Sequence, residues 1–403
     1  MAQAQSRPSS PRVALVTGGL KLGGATIFLV SFGGELTRRR IPVQVFSFEK
    51  ENPLASDFTR LGVPVFCQDE RRVIFEDRVC AVCQELARFQ PTAVVASLGG
   101  ISFEVLRYMP AGVFRVGLAQ THDPGVYAVV RRYTAHLDLM AGVSRLVTQT
   151  LSSLPEFASV PVAYLPLGVP MPQHLAALGF ESGAPLRILY LGRLDEEQKR
   201  VRLFPRIFEQ LTSSGIPFHW TIAGEGPERS FLEGALKSTA TGQTVSFTGR
   251  VLYDQVPKLL AAHDVFLLAS DYEGLPLSLL EAMGSGLVPV VSDLPSGIRD
   301  VVDETNGKRV PPDQITGYAE AIVWLHAHRA EMKRLSEKAR AKVQAEFSVA
   351  AMADRWLGAL RPPETGVRWP VAWKIQPPLG SPSRLRFSSL GRTFSRWLMR
   401  FRS

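Results

Sequence analysis

Residues 264–293 read DVFLLASDYEGLPLSLLEAMGSGLVPVVSD. An apolar run ending at Ser270 leads into a polar turn with Glu273 and Gly274. A segment with Leu277, Leu280 and Met283 on one helical face follows, then a second apolar run, LVPVV. Uninterrupted Val/Leu runs mark strands buried on both faces, as in parallel sheets covered by helices. Pro276 falls where a helix would begin and is predicted at its first position, where the missing N–H costs nothing. The stretch is one strand–turn–helix–strand unit. Its turn lies at a strand's carboxyl end, where open α/β sheets bind ligands, and the free N–H groups and dipole of the helix start suit an anion.

The same rhythm extends outward. RILYLGRL (187–194), FHWTIAGEG (218–226) and TVSFTGRV (244–251) precede it. Before these, RVALVTGG (12–19), IPVQVFSF (41–48), VPVFC (63–67), TAVVAS (92–97), VFRVGLAQT (113–121), LDLMAGVS (137–144) and PVAYLPLG (161–168) form an earlier series. The stretch 169–186, VPMPQHLAALGFESGAPL, breaks the alternation. The expected organisation is a polar tail (1–11), an α/β domain (12–168), a linker (169–186), a second α/β domain (187–346), a closing helix (347–360) and a Pro-rich basic tail (361–403). The fold class is α/β: two doubly wound, Rossmann-like domains facing each other across a cleft.

Composition bounds the function. With 403 residues, 45% apolar and 21% charged, the chain can bury large cores, which excludes a mostly disordered or fibrous protein. No apolar run reaches about 18 residues, so no transmembrane helix is expected, and MAQAQSRPSSPR has no apolar signal-peptide core. Cys80 and Cys83 form a lone C-x-x-C in a helical segment without a second Cys or His pair, which argues for plain thiols and a reducing, cytoplasmic setting. Of the net charge of +9, residues 361–403 carry +8, so the body is nearly neutral and no nucleic-acid partner is expected. In the tail, apolar residues at 387, 390, 394, 397, 398 and 401 share one helical arc, with Arg392, Arg396 and Arg400 opposite. That pattern predicts an amphipathic helix over 387–402 at an anionic membrane surface, on its cytoplasmic face; the alternative is a helix docked on the protein's own body.

Several residues carry chemistry. Glu281 lies five positions beyond Pro276, roughly 7–8 Å along a helix at about 1.5 Å per residue. This is about the reach from a nucleotide's terminal phosphate to its ribose, whose diol a carboxylate can accept. Glu273, in the turn, is placed to bond hydroxyls beyond the phosphates. Arg193 and Lys199, in LYLGRLDEEQKRV at a strand end, suit a diphosphate, although Asp195, Glu196 and Glu197 between them also fit a solvated charge run. The glycine turn GGLKLGGAT (18–26), with Gly23 and Gly24, either cradles phosphate or only makes a tight turn. His122 follows another apolar strand. No D-x-D occurs, so a metal–diphosphate site of that kind has no evident ligands, and neither metal nor cofactor is expected.

Together these residues resemble the retaining glycosyltransferases of family 4, which have the GT-B fold. The similarity spans 12–360 and centres on EGLPLSLLEAM (Glu273, Glu281), with GR…K (Arg193, Lys199), AGEGP, FTGRV and PVVSDLPSGIRDVV. The resemblance implies that Arg193 and Lys199 bind the donor diphosphate and Glu281 the ribose. Glu273, Gly274, Leu275 and Leu277 would contact the donor sugar and distal phosphate, and Arg250 and Val251 would lie near the base. Gly23 and Gly24 would lie near phosphate and acceptor, and His122 near the sugar. Arg193, Lys199 and Glu273 would be the catalytic set. The sequence departs from the family where Arg200 follows Lys199 in place of glycine, where the Arg193–Lys199 spacing is one residue longer, and where Ala25-Thr26 follows Gly24 in place of an acid. The implied activity moves a sugar, with retention, from a nucleotide-diphosphate sugar to a glycan or lipid-linked acceptor, in polysaccharide or glycolipid synthesis. Two other readings are a non-catalytic GT-B scaffold and an NAD(P)-dependent oxidoreductase. Against the latter, VALVTGGLKLGG meets neither dinucleotide glycine spacing, and no tyrosine has a lysine four residues later.

Overall fold

The computed structural model describes residues 11–20, 23–49, 54–68, 74–97, 100–172, 181, 183–237, 245–361 and 367–379. Residues 1–10 of the expected tail, half of the linker (173–180 and 182) and the amphipathic helix at 387–402 lie outside them. The chain forms two compact units, one of residues 1–143, 147–165 and 353–403, the other of 144–146 and 166–352.

The first unit holds a seven-stranded parallel sheet. Its strands are β1 (Val13–Thr17), β2 (Val43–Ser47), β3 (Val65–Cys67), β4 (Ala93–Ser97), β5 (Phe114–Ala119), β6 (Leu139–Gly142) and β7 (Val162–Tyr164), in the order β3-β2-β1-β4-β5-β6-β7. The second unit holds β8 (Leu186–Leu191), β9 (Phe218–Ala223), β10 (Val245–Gly249), β11 (Val265–Leu268), β12 (Val288–Ser292) and β13 (Lys308–Val310), in the order β10-β9-β8-β11-β12-β13. Both are the doubly wound sheets expected from the Val/Leu runs. In each, strand order reverses once, between β1 and β4 and between β8 and β11, and such switch points open a crevice at the carboxyl ends of the strands.

Two features differ from the sequence expectation. Pro276 is extended, with ψ 115°, and caps the helix Leu277–Gly284 in place of occupying its first turn; its carbonyl accepts from the Leu280 N–H. The last helix, Val349–Ala359, is shared between the units and changes allegiance at residue 353. Trp356 is fully buried against Phe28 and Phe32, with ring centroids 5.6 and 5.4 Å away, and Asp354 pairs with Arg39 at 2.5 Å. Large aromatic surfaces buried this way dominate core energetics, so this helix end is integral to the first unit.

The described part of the tail is also attached there. Residues 367–379 have no regular structure, as their prolines predict, but Val367, Trp369, Trp373, Ile375 and Leu379 pack against the core of the first unit. The Leu379 N–H donates to buried Glu104 at 2.8 Å, and Arg107 donates to the Pro377 carbonyl at 3.0 Å. Cys67, Cys80 and Cys83 are free thiols, and burial pushes the Cys83 thiol far up.

Candidate functional site

The second sheet's switch point brings together two loops 70 residues and more apart in sequence. The loop after β8 carries Arg193, Asp195, Gln198 and Lys199, and the loop after β11 carries Ser270 to Pro276. Asp195 caps the short helix Glu196–Lys199, its carboxylate accepting from the Gln198 and Lys199 N–H groups. This turn aims Lys199 at Glu273, with Nζ 2.5 Å from Oε1. Ser270 donates to the same oxygen at 2.7 Å, and Gln198 reaches Oε2 at 3.5 Å. The backbone joins in: Asp271 N–H donates to the Gln198 carbonyl at 2.9 Å, and Arg200 pairs with Asp271 at 3.1 Å. The side chains of Lys199 and Glu273 are 12% and 6% exposed, so the pair is nearly desolvated and neither charge tolerates loss of the other. Two roles assigned separately by sequence, a phosphate cation and a sugar-binding acid, here sit on one ion pair.

Arg193 is the open charge of the site. Its side chain is 70% exposed, and Gln198 Oε1 holds one guanidinium nitrogen at 2.6 Å. Gly274, Leu275 and Leu277 are buried between Glu273 and the helix. Their loop is pinned by Gly297, whose N–H donates to the Gly274 carbonyl at 2.7 Å; a Cβ at 297 would lie 2.4 Å from that oxygen.

Glu281 sits one helical turn below. It keeps some exposed surface, and its carboxylate takes no hydrogen bond or ion pair among the described residues. Desolvation raises its carboxyl to about 8. An acid with neither partner nor full solvation inside a helix is a poor structural choice, and it marks a place where hydroxyl donors would be accepted.

The glycine turns after β8, β9 and β10 pack mainly on one another. Gly224 has φ +145°, its N–H donates to the Gly249 carbonyl at 2.9 Å, and a Cβ there would meet the Gly192 carbonyl oxygen at 1.8 Å. The close approach at these glycines is of backbone to backbone. Arg250, beyond β10, is exposed and Val251 half-buried.

The remaining residues named from sequence lie in the first unit. Gly23 and Gly24 are exposed at the start of the helix Gly24–Arg38, and no atom of the described residues stands within 4 Å of a Cβ built on Gly23. The nearby Gly19 is covered by the Glu49 carboxylate, which a Cβ at 19 would approach to 2.4 Å, so an acid from the end of β2 lies by this turn. His122 is exposed after β5, with Nδ1 2.8 Å from the Tyr127 hydroxyl. Sequence reasoning missed Gln198 and Ser270, which complete the Lys199–Glu273 cluster. It also missed Gln120, whose amide nitrogen is buried with no partner among the described residues. The polar residue closing an apolar strand run was the available signal.

Two Rossmann-like units with a cation-bearing switch point define the class: the GT-B glycosyltransferase fold. TarM of S. aureus, solved with fondaparinux, alpha-GlcNAc-glycerol and UDP, superposes with a TM-score of 0.70 over 86% of this chain and 99% of its own, at 13% identity. Residues 185–328 match the family described as Glycosyl transferases group 1, and the chain carries that domain. The putative colanic acid biosynthesis glycosyltransferase WcaL of Salmonella typhimurium is 28% identical over 327 residues, covering 76% of this chain and 77% of the relative. The amylovoran biosynthesis glycosyltransferase AmsK of Erwinia amylovora is 32% identical over 171 residues, 41% of this chain and 42% of its own. The chain is a glycosyltransferase.

Proposed function

We propose that the chain is a retaining glycosyltransferase of cell-surface polysaccharide synthesis, using a nucleotide-diphosphate sugar and needing no metal. The observation that carries this is the buried Lys199–Glu273 pair, clamped by Ser270 and Gln198 at the capped start of a helix whose fifth residue is the unpaired Glu281. Arg193 and Lys199 grip the diphosphate, Glu281 accepts the ribose hydroxyls, and Glu273 with the Gly274–Leu277 loop orients the donor sugar. Arg250 and Val251 line the base side, while Gly23, Gly24 and His122 serve the phosphate, acceptor and sugar from the first unit.

The bond between the sugar's anomeric carbon and the phosphate oxygen breaks, and its electron pair stays on the phosphate. Arg193, Lys199 and the helix N–H groups stabilise that charge where a metal ion otherwise would; losing one such donor typically costs about 2.7–4 kcal/mol of transition-state stabilisation. The acceptor hydroxyl attacks from the same face and gives its proton to the departing phosphate, so no separate base is needed. The colanic acid and amylovoran relatives support a glycan or lipid-linked acceptor. Among the described residues no helix is long and apolar enough to cross a membrane. The basic segment 387–402 accounts for placement at the cytoplasmic membrane face.

A thermal-shift panel of UDP, GDP, ADP and their sugars, followed by transfer assays with and without a chelator, tests this reading. Stabilisation by one nucleotide sugar, chelator-resistant transfer and an α-configured product from an α-donor are expected. An inverted product overturns the retaining mechanism, and failure of every nucleotide sugar overturns the donor assignment. Deletion of 381–403 should release the protein from anionic vesicles; unchanged binding overturns the membrane role.

A further inference from the structure

One residue of the second unit combines a costly backbone with contacts to which no role above is given. Among the described residues, three that are not glycine have left-handed backbone: Arg40 (φ 59°), Gln90 (φ 53°) and Arg200 (φ 50°). Arg40 and Gln90 follow helices of the first unit and leave their side chains exposed. Arg200 does not. It ends the short helix Glu196–Lys199, its N–H donating to the Glu196 carbonyl at 3.2 Å, and its side chain is only 18% exposed. Its guanidinium is divided between two loops. Nε lies 3.1 Å from Asp271 Oδ1, and Nη1 donates to the carbonyl of Pro312, beyond β13, at 3.1 Å.

Stability does not account for an arginine here. A left-handed residue with a Cβ is strained, and for that reason glycine or asparagine usually ends a helix in this way. The return is small, because Asp271 is exposed and an ion pair open to solvent contributes little. What the pair does is local. Asp271 is held twice, its N–H donating to the Gln198 carbonyl at 2.9 Å and its carboxylate taking Arg200. The residues on either side of Lys199 are thus tied to one residue of the β11 loop. Gln198 adds another tie, its side-chain amide donating to the Tyr272 carbonyl at 3.1 Å. We propose that Arg200 is a positioning residue for transfer: with Asp271 and Pro312 it clasps the turn that carries Lys199, so that the ammonium stands ready for the charge developing on the donor phosphate. The inference rests on the donor reading above for the role of Lys199, while the clasp itself stands on these contacts. Arg200 acts through Lys199 and not as a further diphosphate ligand, since its Nε and Nη1 are committed to Asp271 and Pro312.

The test compares the full chain as wild type, Arg200→Gly, Asp271→Asn and the double variant. Glycine relieves the left-handed backbone, so Arg200→Gly should melt no lower than wild type. Amide hydrogen exchange needs no ligand. It should show the N–H of residue 271 exchanging at least about tenfold faster in each variant, while the amides of β8 and β11 keep their protection. Hydrolysis of whichever of UDP-glucose, GDP-mannose and ADP-glucose stabilises the chain should lose about tenfold in kcat with KM held within about twofold, a fraction of the roughly hundredfold that a misplacement of about 1 Å can cost. The double variant should lose no more than either single one, because both open the same clasp. Unchanged exchange at residue 271 overturns the proposal. So does a melting temperature that falls in step with kcat, which makes Arg200 structural only, and so does a rise in KM alone, which makes it a ligand. Lys199→Ala in the same assay separates the two readings: full turnover there removes Lys199 from the diphosphate, and the exchange data still decide the clasp.

Discussion

The carboxyl edges of the two sheets have the same topology and opposite character. At the second sheet's edge the polar side chains are mostly spoken for: Lys199 by Glu273, Asp271 by Arg200, Glu228 by Arg202, with the glycine turns stacked on each other. At the first sheet's edge, Gly23, Gly24, Thr121, His122 and Asp123 are exposed, and the buried Gln120 amide nitrogen has no partner among the described residues. A preorganised edge suits a ligand part common to many substrates, the nucleotide diphosphate, whose charge must be met without reorganisation. An open edge suits a part that varies. On this contrast, substitutions in the second unit, apart from the outer Arg200–Asp271 pair, should damage folding and activity together, and those in the first should separate them.

The largest effect is expected at the ion pair. Lys199→Ala strands Glu273 with Ser270 and Gln198 as its remaining donors, and breaking a buried pair this way typically costs about 3–5 kcal/mol. Transfer should fall by about 10²–10³-fold or more. The double variant Lys199→Met with Glu273→Gln removes both charges, and should regain most of the lost melting temperature without regaining activity. Activity in the double variant would show that the pair is structural only.

Gly224→Ala comes next. It combines a backbone at φ +145° with a Cβ 1.8 Å from a carbonyl oxygen, so the turn must move. Strain of this kind costs of order 1–3 kcal/mol before the clash is counted. Chemical denaturation should register the loss in the second unit, and nucleotide affinity should drop with it, because Gly192 leads directly into Arg193.

How far the sequence discloses this contrast depends on the range of the interactions. Twelve of the thirteen strands lie within its apolar runs or overrun them by one residue; β13 has no such run, because KRV is a short, charged edge strand paired to one neighbour. The EGLPLSLLEAM motif is compact, so Glu273 and Glu281 were evident as a local pattern. That Lys199 spans 74 residues to reach Glu273 was not, since the charge run EEQKR reads as solvated surface until the Asp195 cap turns it inward. Residues 367–379 look loose because prolines forbid helix and sheet ladder alike, yet their alternate apolar side chains need no regular structure to pack.

Glu281 gives a smaller effect with a definite sign. Its carboxyl moves from an ordinary 4.5 in the unfolded chain to about 8 in the folded one, so between those values the folded state holds more protons. Stability must then fall as pH rises through that window and level off above it. Glu281→Gln should flatten the dependence, matching wild type near pH 4 and melting higher at pH 9. If the ionised acid binds the ribose, nucleotide binding at pH 7 should release a proton, seen by calorimetry in buffers of different ionisation heat. The release should vanish in the variant, and proton-neutral binding in wild type would remove Glu281 from the ribose.

The smallest stability change is expected at Gly23, and it is the sharpest test of the contrast. Its φ of 165° is extended backbone that any residue adopts, and an added Cβ meets nothing within 4 Å. Gly23→Ala should therefore leave the melting temperature almost unchanged, within the roughly ±0.5 kcal/mol usual for open surface positions. A ligand lying on this turn would be met by the new methyl, so the Michaelis constant should rise while the fold is untouched. Gly224→Ala, by contrast, cannot lose affinity without losing stability. Should Gly23→Ala change neither, the turn is only a connection, and the first unit's open edge begins at Gln120.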